Sequence, residues 1–230
     1  MTTQLLALHG WAGDQRSWAP WAALAEQRGW RFSCAERGYG HLPPQMPIWQ
    51  TDAQRRVVIG HSLGPHLLPA ELWQQATAAV LLASFAAFIP PGREGRPVAA
   101  ALRGMAARLA AGEANALLHD FQRQVAAPFP PERLPPGPLD QGISAAGAQR
   151  LAADLELLAC TRGLPAGMPP GIPVLLVEAA DDQIVSAASR ALLRQALPEA
   201  RLWTLPVAGH ALLDNDLPAA VLQWIGDGLP

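Results

Sequence analysis

Apolar and polar positions along the chain follow two alternating rhythms. Short strand-like segments occur at residues 4–8, 30–34, 54–59, 80–83, 172–178 and 201–205, and those at 4–8 and 80–83 are nearly continuous apolar runs. They are bounded by turn residues, and this is how buried strands read. Between them lie stretches of helical period. Residues 17–28 place Trp18, Trp21 and Leu24 on one face, and residues 65–75, 187–196 and 217 to about 225 read the same way. Pro65 in the first turn is compatible with a helix start. Residues 41–47 are too rich in proline for regular structure. From about residue 90 to 170 the strand-like runs stop. Residues 99–111, 113–125 and 144–160 read as amphipathic helices separated by proline-rich links such as Pro128–Pro131 and Pro135–Pro138. Strands alternating with helices predict an α/β architecture, a mostly parallel sheet with helices on both faces. The helical stretch interrupts that alternation once. The expected organisation is a core of residues 1–89 and 171–230 carrying an inserted helical lid at 90–170.

Composition narrows the function classes. Of 230 residues, 50% are hydrophobic and 16% charged, which suits one globular core with an insertion. The formal net charge of −2 points to neither nucleic acid nor another polyanion as partner. All 17 basic residues are arginine, so every mechanism that needs a lysine is excluded. Cys34 and Cys160 give no disulfide framework, and both are expected as buried thiols. The first strand begins almost at the N-terminus without a basic-then-apolar leader, and no apolar run reaches membrane-spanning length. A soluble cytoplasmic protein that binds no membrane is therefore expected.

The candidate chemistry centres on Gly60-His61-Ser62-Leu63-Gly64. This Gly-x-Ser-x-Gly pentapeptide lies between a β-branched run and a helical segment, the sequence form of a nucleophile elbow. A serine hydroxyl needs a neighbouring base. His210, after Gly209 in the loop beyond the last strand, is the candidate. The base needs an acid to hold its tautomer. Asp182 follows the strand at 172–178, with Asp181 as its rival. The backbone amides of Trp11, after His9-Gly10, and of Leu63 are the candidate oxyanion donors. Taken singly, each piece has an ordinary structural reading: a packed loop histidine, an acidic pair at a helix N-terminus, a turn. Their order along the chain and their places at strand ends favour catalysis. His61 reads as a supporting residue, His66 lies on the elbow helix, and His41 and His119 read as surface or packing positions. No His, Cys and Asp cluster has metal-ligand spacing.

These motifs, with Glu36-Arg37-Gly38-Tyr39-Gly40, resemble the α/β-hydrolase family along nearly the whole chain. The resemblance departs from the family pattern at Glu36, where many members have aspartate, at His41-Leu42, and at Pro65, where many have a small residue. It implies the α/β-hydrolase fold, the acid at Asp182 in Asp182-Gln183-Ile184-Val185, and ester hydrolysis through an acyl-enzyme without a cofactor. More narrowly, His9-Gly10-Trp11 with Trp18, Leu82-Ala83-Ser84, and Asp154 to Leu158 before Arg162 resemble the carboxylesterases of biotin synthesis that demethylate pimeloyl-acyl-carrier-protein methyl ester. That resemblance implies a small ester substrate carried on acyl-carrier protein, with the lid as docking surface. The lid has eight arginines against seven acids, net +1, and the remainder is net −3. This weakly favours an acidic partner. Arg103 and Arg123 are the docking candidates, and Trp11, Phe85 and Phe121 are candidates for an apolar acyl channel. The alternatives are a general short-chain carboxylesterase, thioesterase or lactonase and, in another class, a non-catalytic binding protein on the same fold.

Overall fold

The computed structural model describes residues 2–227. Six strands form one fully parallel sheet in the order β2-β1-β3-β4-β5-β6. They are β1 (Thr3–Leu8), β2 (Arg31–Cys34), β3 (Arg55–His61), β4 (Ala78–Leu82), β5 (Val174–Ala179) and β6 (Arg201–Leu205). The central strands read as unbroken apolar runs because both sheet faces are covered. The pleat sends Leu5, Ala7, Val57, Ile59, Val80, Leu175 and Val177 to one face. There they meet α1 (Ala19–Gln27) and α8 (Leu217–Asp227), through Trp21, Ala25, Val221, Leu222 and Ile225. Leu6, Leu8, Val58, Leu81 and Leu176 point the other way, onto Trp49, Trp73 and Leu193 of the opposite layer. That layer includes α3 (Ala70–Trp73) and α7 (Ala187–Ala196).

The chain runs from β1 outward to the edge at β2, then returns past β1 to β3. The topological switch therefore falls between β1 and β3. The crevice beyond the carboxyl ends of these strands is the ligand position in open parallel sheets. β1 delivers His9-Gly10-Trp11 there and β3 delivers Ser62.

The structure departs from the sequence expectation at the elbow helix and at Cys160. The single helix expected over 65–75 is two short turns, α2 (Gly64–Leu67) and α3. Leu68 breaks it with ψ 130°, because Pro69 disfavours the helical region for the residue before it. Residues 35–54 contain no helix, in keeping with the proline-rich segment at 41–47, and Glu36 and Gln45 pair as an isolated antiparallel bridge. Cys160 is exposed rather than buried, because it ends its helix on the solvent side, while Cys34 is half-buried. Burial pushes the Cys34 thiol up to about 12, so it stays protonated.

Residues 95–160 contribute α4 (Gly95–Ala110), α5 (Ala114–Ala126) and α6 (Ala145–Cys160). Their apolar faces share a core with Trp11, Tyr39, Leu63 and Phe85 of the sheet-bearing part. A buried polar knot ties the two parts together. Asp154 of α6 accepts a two-pronged bond from Arg37 at 2.9 and 2.6 Å and another from the Tyr39 hydroxyl at 2.6 Å. Arg150 donates to the Gly38 carbonyl at 2.9 Å. Asp154→Ala leaves the buried Tyr39 hydroxyl and a partly buried guanidinium without an acceptor, at an expected cost of about 2–3 kcal/mol. Urea denaturation checks this. A loss no larger than that of Asp52→Ala, which removes an exposed ion pair with Arg31, would show that the knot does not hold the layers together.

Candidate active site

The elbow is built by close packing. Ser62 has φ 55°, a left-handed conformation that costs a non-glycine residue energy and concentrates at functional sites. Two bonds hold it there. Its amide donates to the Leu82 carbonyl at 2.8 Å, and the buried Ser84 hydroxyl donates to its carbonyl at 2.8 Å. The flanking glycines are required by contact. A β-carbon on Gly60 would sit 2.4 Å from Pro65 Cγ, and one on Gly64 would sit 2.4 Å from the Leu8 carbonyl oxygen.

The candidate acid and base meet beyond β5 and β6. His210 Nδ1 donates to Asp182 Oδ2 at 2.9 Å. The other oxygen, Asp182 Oδ1, accepts the amides of Ile184 and Val185 at 2.8 and 2.9 Å. The Asp182 carboxylate is fully enclosed and His210 is 3% exposed. Burial acts to raise the Asp182 carboxyl, but the charge and hydrogen bond of His210 and the two amides outweigh it, so the group lies below its ordinary value. An ionised Asp182 keeps the His210 proton on Nδ1 and leaves Nε2 with a free lone pair. Asp181 is exposed, and its amide is spent on the Ala208 carbonyl at 3.0 Å. The structure thus brings Asp182, and not Asp181, to His210. Among the described residues neither Ser62 Oγ nor His210 Nε2 has a partner in the protein. Catalytic hydrogen bonds of this kind commonly tighten only when substrate is bound.

The Trp11 and Leu63 amides donate to no protein acceptor among the described residues. They flank Ser62 from the ends of β1 and β3. The Trp11 indole is anchored by a 2.8 Å bond from Nε1 to the Leu151 carbonyl of α6. Behind it, His9 Nδ1 donates to the Gly10 carbonyl at 2.9 Å and Nε2 accepts the Arg37 amide at 3.2 Å, an arrangement that requires a neutral ring.

Three histidines around the elbow are held neutral. Burial is the main cause in each: it lowers His9 and His66 and brings His61 down to about 4. The unfolded chain binds these protons near pH 6.5, whereas the folded chain refuses them until lower pH. Stability from this source is complete above about pH 6.5 and falls as the pH drops toward 4. The thermal midpoint is expected to decline across that window. A flat profile from pH 7 to 5 would contradict the assignment.

A cavity of about 540 Å³ opens beside the elbow, within the usual range for small-molecule sites. Its wall includes His61, His210, Trp11, Phe121 and Val125. Trp11 and Phe121 meet edge to face at 4.9 Å. Phe85 is not on this wall. It is fully buried, stacked on His66 and edge-on to Phe88, and so packs the helical layer against the body. The sequence reading missed the Leu134–Gly137 link, which forms part of the wall. Its prolines were legible only as a break between helices. Arg103 and Arg123 are both exposed; Arg123 is paired with Asp120. His41 and His119 are exposed. Among the described residues no group of three or more His, Cys, Asp or Glu side chains is arranged for a metal ion, and no helix is long and apolar enough to cross a membrane.

No model of a known protein family matches the sequence, and no curated protein matches it. Solved structures match closely in shape. An esterase from Exiguobacterium antarcticum superposes with a TM-score of 0.76 at 16% identity, covering 98% of this chain and 92% of that one. The enol-lactonase from Burkholderia xenovorans LB400 gives 0.71 at 16% identity, covering 99% and 92%. A thermophilic esterase from Thermogutta terrifontis gives 0.70 at 16% identity, covering 98% and 90%. The six-stranded parallel sheet with its flanking helices is an α/β-hydrolase fold.

Proposed function

We propose that the protein is a serine carboxylesterase. The observation that carries this reading is the placement of Ser62 on left-handed backbone at the end of β3, beside a buried Asp182–His210 pair hydrogen-bonded at 2.9 Å. Ser62 Oγ attacks the ester carbonyl while His210 Nε2 takes its proton, and Asp182 stabilises the imidazolium. The Trp11 and Leu63 amides receive the oxyanion, an interaction in which each donor is worth about 3 kcal/mol of barrier. The imidazolium then protonates the departing alcohol. Water, activated by the same nitrogen, releases the acid and restores Ser62. Trp11 and Phe121 line the apolar wall of the cavity that His61 and His210 also border. The names of the structural neighbours, esterases and an enol-lactonase, are in keeping with this chemistry.

The substrate we propose within this class is a methyl ester of pimeloyl-acyl-carrier protein, with residues 90–170 as lid and docking surface. Its support is the narrower sequence resemblance together with the slightly basic balance of the lid. Arg103 is the better of the two docking candidates, since Arg123 already faces Asp120. The test compares hydrolysis of the carrier-bound methyl ester with that of a short free ester, in wild type and Ser62→Ala. Strong preference for the carrier-bound ester, lost in the variant, is expected. Ser62-dependent cleavage of the short ester alone would leave a general carboxylesterase. Absence of Ser62-dependent turnover would favour a non-catalytic binding protein.

A further inference from the structure

The residue before the nucleophile carries a role of its own. His61 Nε2 lies 2.8 Å from the His210 carbonyl oxygen. A carbonyl only accepts, so Nε2 carries the proton and donates. The two rings are 4.9 Å apart between centroids and tilted by 50°. The other edge of the His61 ring packs against Gly10, on the oxyanion side of the elbow. The His210 loop has further anchors. Asp182 binds the ring, the Asp181 amide binds the Ala208 carbonyl, and the Ala211 amide binds the Val125 carbonyl. All of these come from outside the nucleophile's segment. Among the described residues the His61 bond is the one hydrogen bond joining that segment to the loop carrying the base.

We infer that His61 is a positioning residue: its Nε2–H fixes the height of the His210 backbone, and so the separation of Ser62 Oγ and His210 Nε2 at the moment of attack. The inference rests on the esterase reading of the site. The ring suits the task because it stays neutral. A protonated His61 would set a second positive charge beside the imidazolium formed during attack. The groups that face it are His210, Asp182 and His9, and burial outweighs the carboxylate's pull.

Glutamine and asparagine separate this role from general packing. A Gln amide nitrogen can occupy the position of a histidine Nε2, whereas an Asn amide nitrogen reaches only as far as Nδ1. His61→Gln is therefore expected to stay within about threefold of wild type in kcat. His61→Asn should lose about 100-fold in kcat with KM little changed, the scale of a misplacement near 1 Å. Thermal midpoints of the two variants, measured alongside, should agree within a few degrees. Equal kcat in the two variants, whether both active or both impaired, would overturn the inference, as would a loss confined to KM. The Ser62→Ala control keeps the two readings apart. If it abolishes turnover while the Gln and Asn variants behave alike, only the role of His61 falls. If it leaves turnover intact, the esterase reading falls and this role with it.

Discussion

Ser62→Ala and His210→Ala are each expected to lower kcat for ester hydrolysis by about 10^4-fold or more, and the double variant to be scarcely worse than either. The reason is that neither group has its function alone. Without His210 Nε2 the Ser62 hydroxyl keeps its proton. Without Ser62 the base has no nucleophile to activate, and what survives is the contribution of the oxyanion amides and of binding. The elbow itself is unaffected by Ser62→Ala, because its conformation is held by the Leu82 and Ser84 bonds to the backbone of residue 62 and by the packing of Gly60 and Gly64. A His210→Ala variant that retained most of its turnover, or a double variant in which the two losses multiplied, would remove the assignment.

The second large effect is expected at Asp182→Asn, with a loss of about 10^4-fold in kcat, against less than about tenfold for Asp181→Asn. The hydrogen-bond pattern explains why an isosteric change does so much. The Ile184 and Val185 amides both require an acceptor and hold Oδ1. In the Asn variant they keep the amide oxygen, and the NH2 group is turned toward His210 Nδ1. Nδ1 must then accept, the imidazole proton moves to Nε2, and Nε2 can no longer receive the Ser62 proton. The charge that would stabilise the imidazolium is lost in the same step. Asp181 is exposed and its carboxylate does not reach His210, so its neutralisation changes little. Comparable losses at the two positions, or a greater loss at Asp181, would overturn the arrangement.

Much of this was legible because the central strands are sandwiched and each motif stands at a strand end. The strand-like segments mark β1, β3, β4, β5 and β6, and the last two helices fall where their periodicity places them. Asp182 could be separated from Asp181 in the sequence only by its resemblance to a family setting. In the structure the same choice follows from which carboxylate lies over His210. What was not legible has local causes. Apolar periodicity runs unbroken through 65–75, so the break at Leu68 depends on the steric demand of one proline ring. Phe85 and Phe121 look alike as aromatic residues near the inserted helices. Only tertiary packing seals the first beneath His66 and sets the second against Trp11. The knot of Arg37, Tyr39 and Asp154 joins positions more than a hundred residues apart, and no short-range pattern records such a pairing.

The contact behind His210 has a mechanical consequence. A β-carbon on Gly209 would lie 1.6 Å from the Ala127 carbonyl oxygen, and the next residue but one, Ala211, donates its amide to Val125 at 3.1 Å. The end of α5 and the loop bearing the base are thus keyed into each other like meshed teeth. Less than two turns earlier the same helix presses Phe121 on Trp11. A displacement of α5 is transmitted to His210 and to Trp11 together. An exchange of this helix for one from another protein would therefore have to bring a matching segment around residue 209 with it.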